Sequence, residues 1–268
     1  MLGGFKCLHL TDFYANPEGF ELHVHEWHEV ILLINGDCEF QIEGNVYKLN
    51  PYEIIVASAN EMHRIIPHPS AICERFVLSI DSDFFTKNNC TKYATIFQRQ
   101  KIAVSNYIPW ESVRRSGIID AIKRVEWFYQ RGILDVAASC MIEVLYLLKE
   151  NTVSRGADEP SSTQVQRVLT YINDNLSDDL SLSTIAKNIN ISSTHICRIF
   201  KKQMHMTVQQ YITHKRLILA QNLYKNGKSM LEASIEAGFT TYSSFYRMYM
   251  KEFKVPPGKD LRSGNRKI

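Results

Sequence analysis

Ile185-Ala186 followed by Ser192-Ser193-Thr194-His195-Ile196-Cys197-Arg198-Ile199-Phe200-Lys201-Lys202 sets the fold of the last third of this chain. The pattern returns as Ala233-Ser234, Gly238-Phe239 and Thr241-Tyr242-Ser243-Ser244-Phe245-Tyr246-Arg247-Met248-Tyr249. Ala186 corresponds to Ser234, a shift of 48, and Arg198 to Arg247, a shift of 49, so the second turn is one residue longer. Two short helices joined by a tight turn, found twice, predict two helix-turn-helix units. Such a unit lays its second helix into the major groove of DNA.

In the first reading helix the periodicity sends Ile196, Ile199 and Phe200 inward. Thr194, His195, Cys197, Arg198 and Lys201 face elsewhere, with Lys202 near the helix end. In the second, Phe245, Met248 and Tyr249 point inward, while Tyr242, Ser243, Tyr246 and Arg247 face out. Arginine can bond a guanine edge through two donors, whereas Lys201 and Lys202 suit phosphates, which position without specifying. A lone surface arginine is usually an ion-pair partner, but the matched placement of Arg198 and Arg247 favours DNA reading. Between the units, Thr207-Val208-Gln209-Gln210 opens a helix with a capping box. That helix runs to Asn226-Gly227, and about 18 residues at roughly 1.5 Å each span about 27 Å. This nearly matches one turn of DNA, roughly 34 Å.

Charge divides the chain in the same way. Residues 161–268 hold 16 Lys+Arg and 7 Asp+Glu, a net +9, and the preceding residues hold 15 and 21, a net −6. A polyanion partner is expected for the basic part alone. The six cysteines have no CxxC or paired spacing, which argues against a disulfide framework or a zinc finger. The start, Met1-Leu2-Gly3-Gly4-Phe5-Lys6, lacks a basic stretch leading into an apolar core, so no secretion signal is expected. No apolar run suits a membrane span, and a cytoplasmic location follows.

Residues 5–80 predict short strands: Val30–Ile34, Cys38–Ile42, Val46–Leu49, Ile54–Ala57 and Arg75–Ile80. Asn35-Gly36 between the first two is a strong hairpin signal. A small barrel or jelly roll is expected. Helices follow over 113–130 and 133–149, the second with a stripe of Leu134, Ala137, Ala138, Met141, Val144, Leu145 and Leu148. The stretch 151–162 has no periodicity and is expected to be a linker.

Residues 165–262 resemble the DNA-binding domain of the AraC/XylS transcription regulators. The resemblance runs through Leu182–Ala186, Phe200-Lys201-Lys202, Met206-Thr207, Tyr211-Ile212, Arg216 with Ala220, Gly238-Phe239, Ser244–Arg247 and Phe253–Pro257. It implies that Thr194, Cys197, Arg198, Tyr242, Ser243, Tyr246 and Arg247 approach bases. The chain departs from the family at His205 and Lys254, where glycine is frequent, and at Val208 and Asp260. The N-terminal half resembles the cupin-type sensing domain of many such regulators. His23-Val24-His25, Glu29 and Gly36 match the spacing HxHx3Ex6G, although Pro51-Tyr52-Glu53 lacks the glycine of the second cupin motif. The resemblance implies a small-molecule effector, often a sugar in this family. His63 is able to complete a set with His23, His25 and Glu29. Imidazole and carboxylate suit zinc, iron or manganese, but an enclosed pocket for an organic ligand is the expectation, with no metal or cofactor.

The expected protein is α+β and multidomain. A cupin or jelly-roll barrel (1–85) precedes a helical dimerisation segment (86–150), a linker (151–162) and an all-α domain with two helix-turn-helix units (163–268). Its partners are double-stranded DNA, an effector, a second copy of the chain, and RNA polymerase if it activates. The competing class, a cupin metalloenzyme with a helical appendage, leaves the +9 duplicated segment without a purpose.

Overall fold

The computed structural model describes residues 2–13, 22–68, 72–97, 107–151 and 163–258. The chain forms two compact units, Met1–Glu159 and Pro160–Ile268.

The first unit is layered. A large antiparallel sheet has the order β1 (Phe5–Phe13), β7 (Ile72–Ile80), β2 (His28–Asn35), β5 (Ile54–Ala57), β8 (Tyr107–Ile108). A small sheet has the order β4 (Asn45–Leu49), β3 (Cys38–Ile42), β6 (His63–Pro67). The apolar run of β2 is continuous because both of its faces are covered. Val30 and Leu32 join Ile54, Val56, Phe76 and Leu78 in a core shared with the helices. Ile31 and Leu33 join Ile55, Phe40 and Leu49 between the two sheets. One residue of alternation thus separates the two cores.

Asn35-Gly36 does not make a hairpin. β2 pairs with β5 and β7, while β3 pairs with β4 and β6, so these residues carry the chain from one sheet to the other. Gly36 is required there for a different reason. Its φ is +126°, and a Cβ would lie 2.6 Å from the carbonyl oxygen of Ile72. The tight hairpin is instead at Glu43-Gly44, both with positive φ, joining Ile42 to its partner Asn45.

A short helix, α1 (Ser82–Lys87), follows β7. The helix expected over 113–130 is two helices, α2 (Trp110–Ser116) and α3 (Ile118–Gln130). Gly117 separates them in the left-handed region at φ +75°. α4 (Leu134–Asn151) follows, and its stripe from Ala137 to Leu148 is buried. With Ile118, Ala121, Ile122 and Val125 of α3, this stripe covers the outer face of the large sheet. The apolar faces expected to meet a second subunit are therefore occupied within the chain. Trp127, Ile133, Val136 and Tyr146 stay exposed. The expected linker lies, beyond Asn151, outside the described residues.

The second unit contains α5 (Gln164–Asp174), α6 (Leu182–Ile189), α7 (Ser193–Met204), α8 (Val208–Lys225), α9 (Met230–Glu236) and α10 (Tyr242–Phe253). Ser181, Ser192, Thr207, Ser229 and Thr241 each cap a helix by accepting a backbone N–H of its first turn. The Thr207–Gln210 capping box forms as expected. In the first turn Asn190 is left-handed and Ser192 caps; in the second Gly238 is left-handed and Thr241 caps. The extra residue of the second copy lies between those two points.

α8 serves both halves. Phe200 packs edge-on against its Tyr211, while its Leu217 and Ala220 join Phe245 and Tyr249. Arg216 on α8 donates from Nε to the Leu176 carbonyl at 2.8 Å and from Nη2 to that of Asp178 at 2.6 Å. Gly238, at φ +92°, makes room for it, since a Cβ there would sit 2.8 Å from the guanidinium and 2.9 Å from the Leu176 oxygen. His205 and Lys254, the two departures from glycine, both lie in the left-handed region, at φ 56° and 58°.

Two substitutions test this backbone accounting in opposite directions. Gly238→Ala should lower the stability of the C-terminal unit by about 1–3 kcal/mol through strain and collision. Lys254→Gly should raise it by about 1 kcal/mol, because glycine carries no Cβ penalty in that conformation. Both changes are measurable as shifts of the far-ultraviolet dichroism transition in urea. Trp27, Trp110 and Trp127 all lie in the other unit, so the fluorescence transition should stay put.

Candidate nucleic-acid interface and effector site

The two reading helices present equivalent positions alike. The fourth and eighth residues are buried in both: Ile196 and Phe200 in α7, Phe245 and Tyr249 in α10. The second, fifth and sixth are exposed in both: Thr194, Cys197 and Arg198 in α7, Ser243, Tyr246 and Arg247 in α10. Tyr242 is exposed at the start of α10, and Lys201 and Lys202 near the end of α7. Ile199 and Met248, expected inside, are only half-buried. Lys251 was missed, although the shift of 49 places it opposite Lys202 and it is exposed in the same way. Arg198 and Arg247 are both exposed, and the guanidinium of Arg198 meets an imidazole rather than a carboxylate.

His195 differs from its neighbours. It is half-buried, and its ring is engaged on both sides. Nε2 meets Gln164 Oε1 at 2.6 Å, and Nδ1 accepts from Arg198 Nη2 at 3.1 Å. The ring therefore steers Arg198.

In the first unit, His23, His25, Glu29 and His63 come together, but not along one strand. The chain bends at Glu26-Trp27, and β2 begins only at His28. His23 forms an antiparallel bridge with His63, with N–H···O distances of 3.1 and 2.9 Å in the two directions. Asn60 N–H bonds the His25 carbonyl at 2.8 Å. Residues 23–25 thus follow the edge of the small sheet, while Glu29 belongs to the large one. The site sits where the two meet.

The rings touch one another. Centroids are 4.5 Å apart for His23–His63, 4.7 Å for His25–His63 and 5.6 Å for His23–His25. Nε2 of His25 lies 3.2 Å from Glu29 Oε1, and Nε2 of His63 lies 3.4 Å from Glu29 Oε2. Ser79 donates its hydroxyl to Oε1 at 3.3 Å. Burial alone would raise the pKa of Glu29, but the contacts from His25 and His63 outweigh it and hold the carboxyl well below its usual range. Burial would likewise disfavour a charged His63, and the adjacent Glu29 carboxylate more than offsets this, so its value is raised.

Paired exposed helices on a helix-turn-helix scaffold, joined in one chain to a β-sheet unit with a polar cluster, define a ligand-linked DNA-binding protein. Family comparison agrees for both halves. Residues 185–263 match a helix-turn-helix domain model and residues 11–108 match an AraC-like ligand binding domain model. The HTH-type transcriptional activators RhaS of Shigella sonnei strain Ss046 and of Escherichia coli strain SE11 are each 21% identical to the chain. Both alignments cover 96% of this chain and 97% of the relative. Among solved structures, fatty acid-bound ToxT from Vibrio cholerae strain SCE256 matches with a TM-score of 0.41 and 11% identity, covering 99% of this chain and 96% of that one. The chain belongs to the AraC family of transcription regulators. No helix among the described residues is long and apolar enough to cross a membrane.

If Arg198 and Arg247 read bases, Arg198→Ala and Arg247→Ala should each weaken specific binding by about 1–3 kcal/mol and relax preference at one base pair. Lys202→Ala should weaken all sequences alike and flatten the salt dependence. Selection from a random duplex library separates the two patterns. Full retention of site preference in both arginine variants would remove the assignment.

Proposed function

We propose that this regulator reads DNA with α7 and α10, through Thr194, Cys197, Arg198, Lys201, Lys202, Tyr242, Ser243, Tyr246 and Arg247, with His195 orienting Arg198. One observation carries the reading: the same helix positions are exposed, and the same positions buried, in both copies. The N-terminal unit takes a small-molecule effector at His23, His25, Glu29 and His63. The chain acts as a regulator, not an enzyme, in the cytoplasm, and meets RNA polymerase where it activates. It pairs as a homodimer through the outward faces of α3 and α4, where Trp127 and Tyr146 are still exposed.

Residues 160–268 alone should bind DNA as a monomer with steep salt dependence, because the net positive charge of the chain is concentrated there. Fluorescence anisotropy across a salt series checks this, and a flat response would remove the phosphate contacts. Sedimentation of the full chain at micromolar concentration should show a dimer; a monomer would overturn that part alone. In a reporter strain screened against a metabolite panel, His25→Ala should abolish effector response. DNA binding by residues 160–268, which lack this site, should persist. A His25→Ala regulator that still responds would place the effector elsewhere.

A further inference from the structure

We propose that Gln164 is a specificity-determining positioning residue for DNA reading: it fixes the tautomer of His195 and, through that ring, the direction of the Arg198 guanidinium. This rests on the reading of Arg198 as a base contact, and it adds a residue from outside both reading helices. Gln164 is uncharged and lies on α5, so neither the duplicated pattern nor the charge distribution points to it.

The direction of each hydrogen bond is decided at the arginine end. A guanidinium only donates. Arg198 Nη2 lies 3.1 Å from His195 Nδ1, so Nδ1 offers its lone pair and the ring is neutral. The single ring proton is then on Nε2, which donates to Gln164 Oε1 at 2.6 Å. Which ring nitrogen carries the proton is set by the bond that the other one makes. The amide oxygen draws the proton to Nε2, and the bare Nδ1 left behind accepts from the arginine. Without an acceptor beside Nε2, the proton is free to sit on Nδ1, where it meets the guanidinium donor to donor.

All three residues stand on fixed backbone. Gln164 is the first residue of α5, inside the capping box formed by Thr163 and Gln166. α5 is anchored by buried Val165, Val168 and Leu169, and by Arg167, whose Nη2 donates to the Ile189 carbonyl at 2.7 Å. His195 is in the first turn of α7, and its N–H donates to the Ser192 cap hydroxyl at 3.3 Å. His195 and Arg198 are neighbours on one face of that helix. The second copy is built differently. The shift of 49 places Ser244 at the position of His195, and its hydroxyl donates to the Thr241 carbonyl at 2.8 Å. Arg247 therefore provides an internal control.

The full chain is used to select a binding site from a random duplex library, and anisotropy then measures its affinity for that duplex and for each single-base-pair variant. The base pair read by Arg198 is the one at which Arg198→Ala relaxes preference. Gln164→Ala should cut discrimination at that pair by about 2- to 10-fold, the worth of one net hydrogen bond. The pair read by Arg247 should be unaffected. In an Arg198→Ala background Gln164→Ala should have no further effect, because nothing remains to be positioned. Gln164 is exposed, so the thermal transition should not move. Weakening of all sequences alike, or an effect that persists in the Arg198→Ala background, would make Gln164 a phosphate contact or a fold residue and overturn the assignment. Unchanged discrimination in Gln164→Ala, while Arg198→Ala relaxes its base pair, would overturn it and leave the reading by Arg198 standing. If Arg198→Ala itself keeps full site preference, the base reading fails and the role of Gln164 with it.

Discussion

Arg216 ties the two DNA-reading halves to each other. Its guanidinium spends two donors on carbonyls of the loop after α5, while the backbone of the second turn lies against it at Gly238. The spacing of the two exposed helices is a rigid-body property, and flexible packing alone would leave it loose. A planar group with fixed donor directions, on a helix with buried residues on both sides, converts it into a set geometry. Glycine at 238 is the other half of that arrangement: any side chain there would displace either the arginine or the carbonyl it holds.

The sensing unit is organised by a different constraint. Its large sheet is covered on both faces, so the run Val30–Leu33 of β2 and all of β5 are apolar on both sides and leave little room for polar chemistry there. Polar side chains gather where the sheets meet. There the bend at Glu26-Trp27 lets one segment serve the small sheet and the next serve the large one. Three imidazoles and a carboxylate in mutual contact at such a junction are costly to assemble without a ligand. That cost is the physical case for a binding role.

Individual surface residues show the same division between scaffold and reader. Ile196, Phe200, Phe245 and Tyr249 bury equivalent positions and fix the rotation of each helix. The rotation then dictates which side chains are left to face a partner. Arg198 is further set by the ring of His195, which is itself held by Gln164 of α5. Contacts this specific are a way for a helix of ordinary composition to present one arginine in one direction.

The sequence by itself determined the duplicated helix-turn-helix pattern, the Thr207–Gln210 capping box, most of the inward and outward residues of each reading helix, and most strands between Val30 and Ile80. All of these rest on local periodicity or on hydrogen bonds between near neighbours, which a linear pattern encodes directly. Only the tertiary structure decided that Asn35-Gly36 crosses between sheets, because the close approach of Ile72 comes from a strand far along the chain. β1, β6 and β8 escaped notice for a related reason: Phe5–Phe13 and His63–Pro67 carry polar residues whose strand character depends on pairing partners, and Tyr107-Ile108 is too short to show a period. The helical stripes of α3 and α4 were legible, but which surface they cover was not, since an apolar face specifies burial and not the partner. The histidines stood out by spacing, yet the contacts between their rings follow from the bend and the bridge to His63. Long-range contacts set those, and no spacing within 23–29 records them.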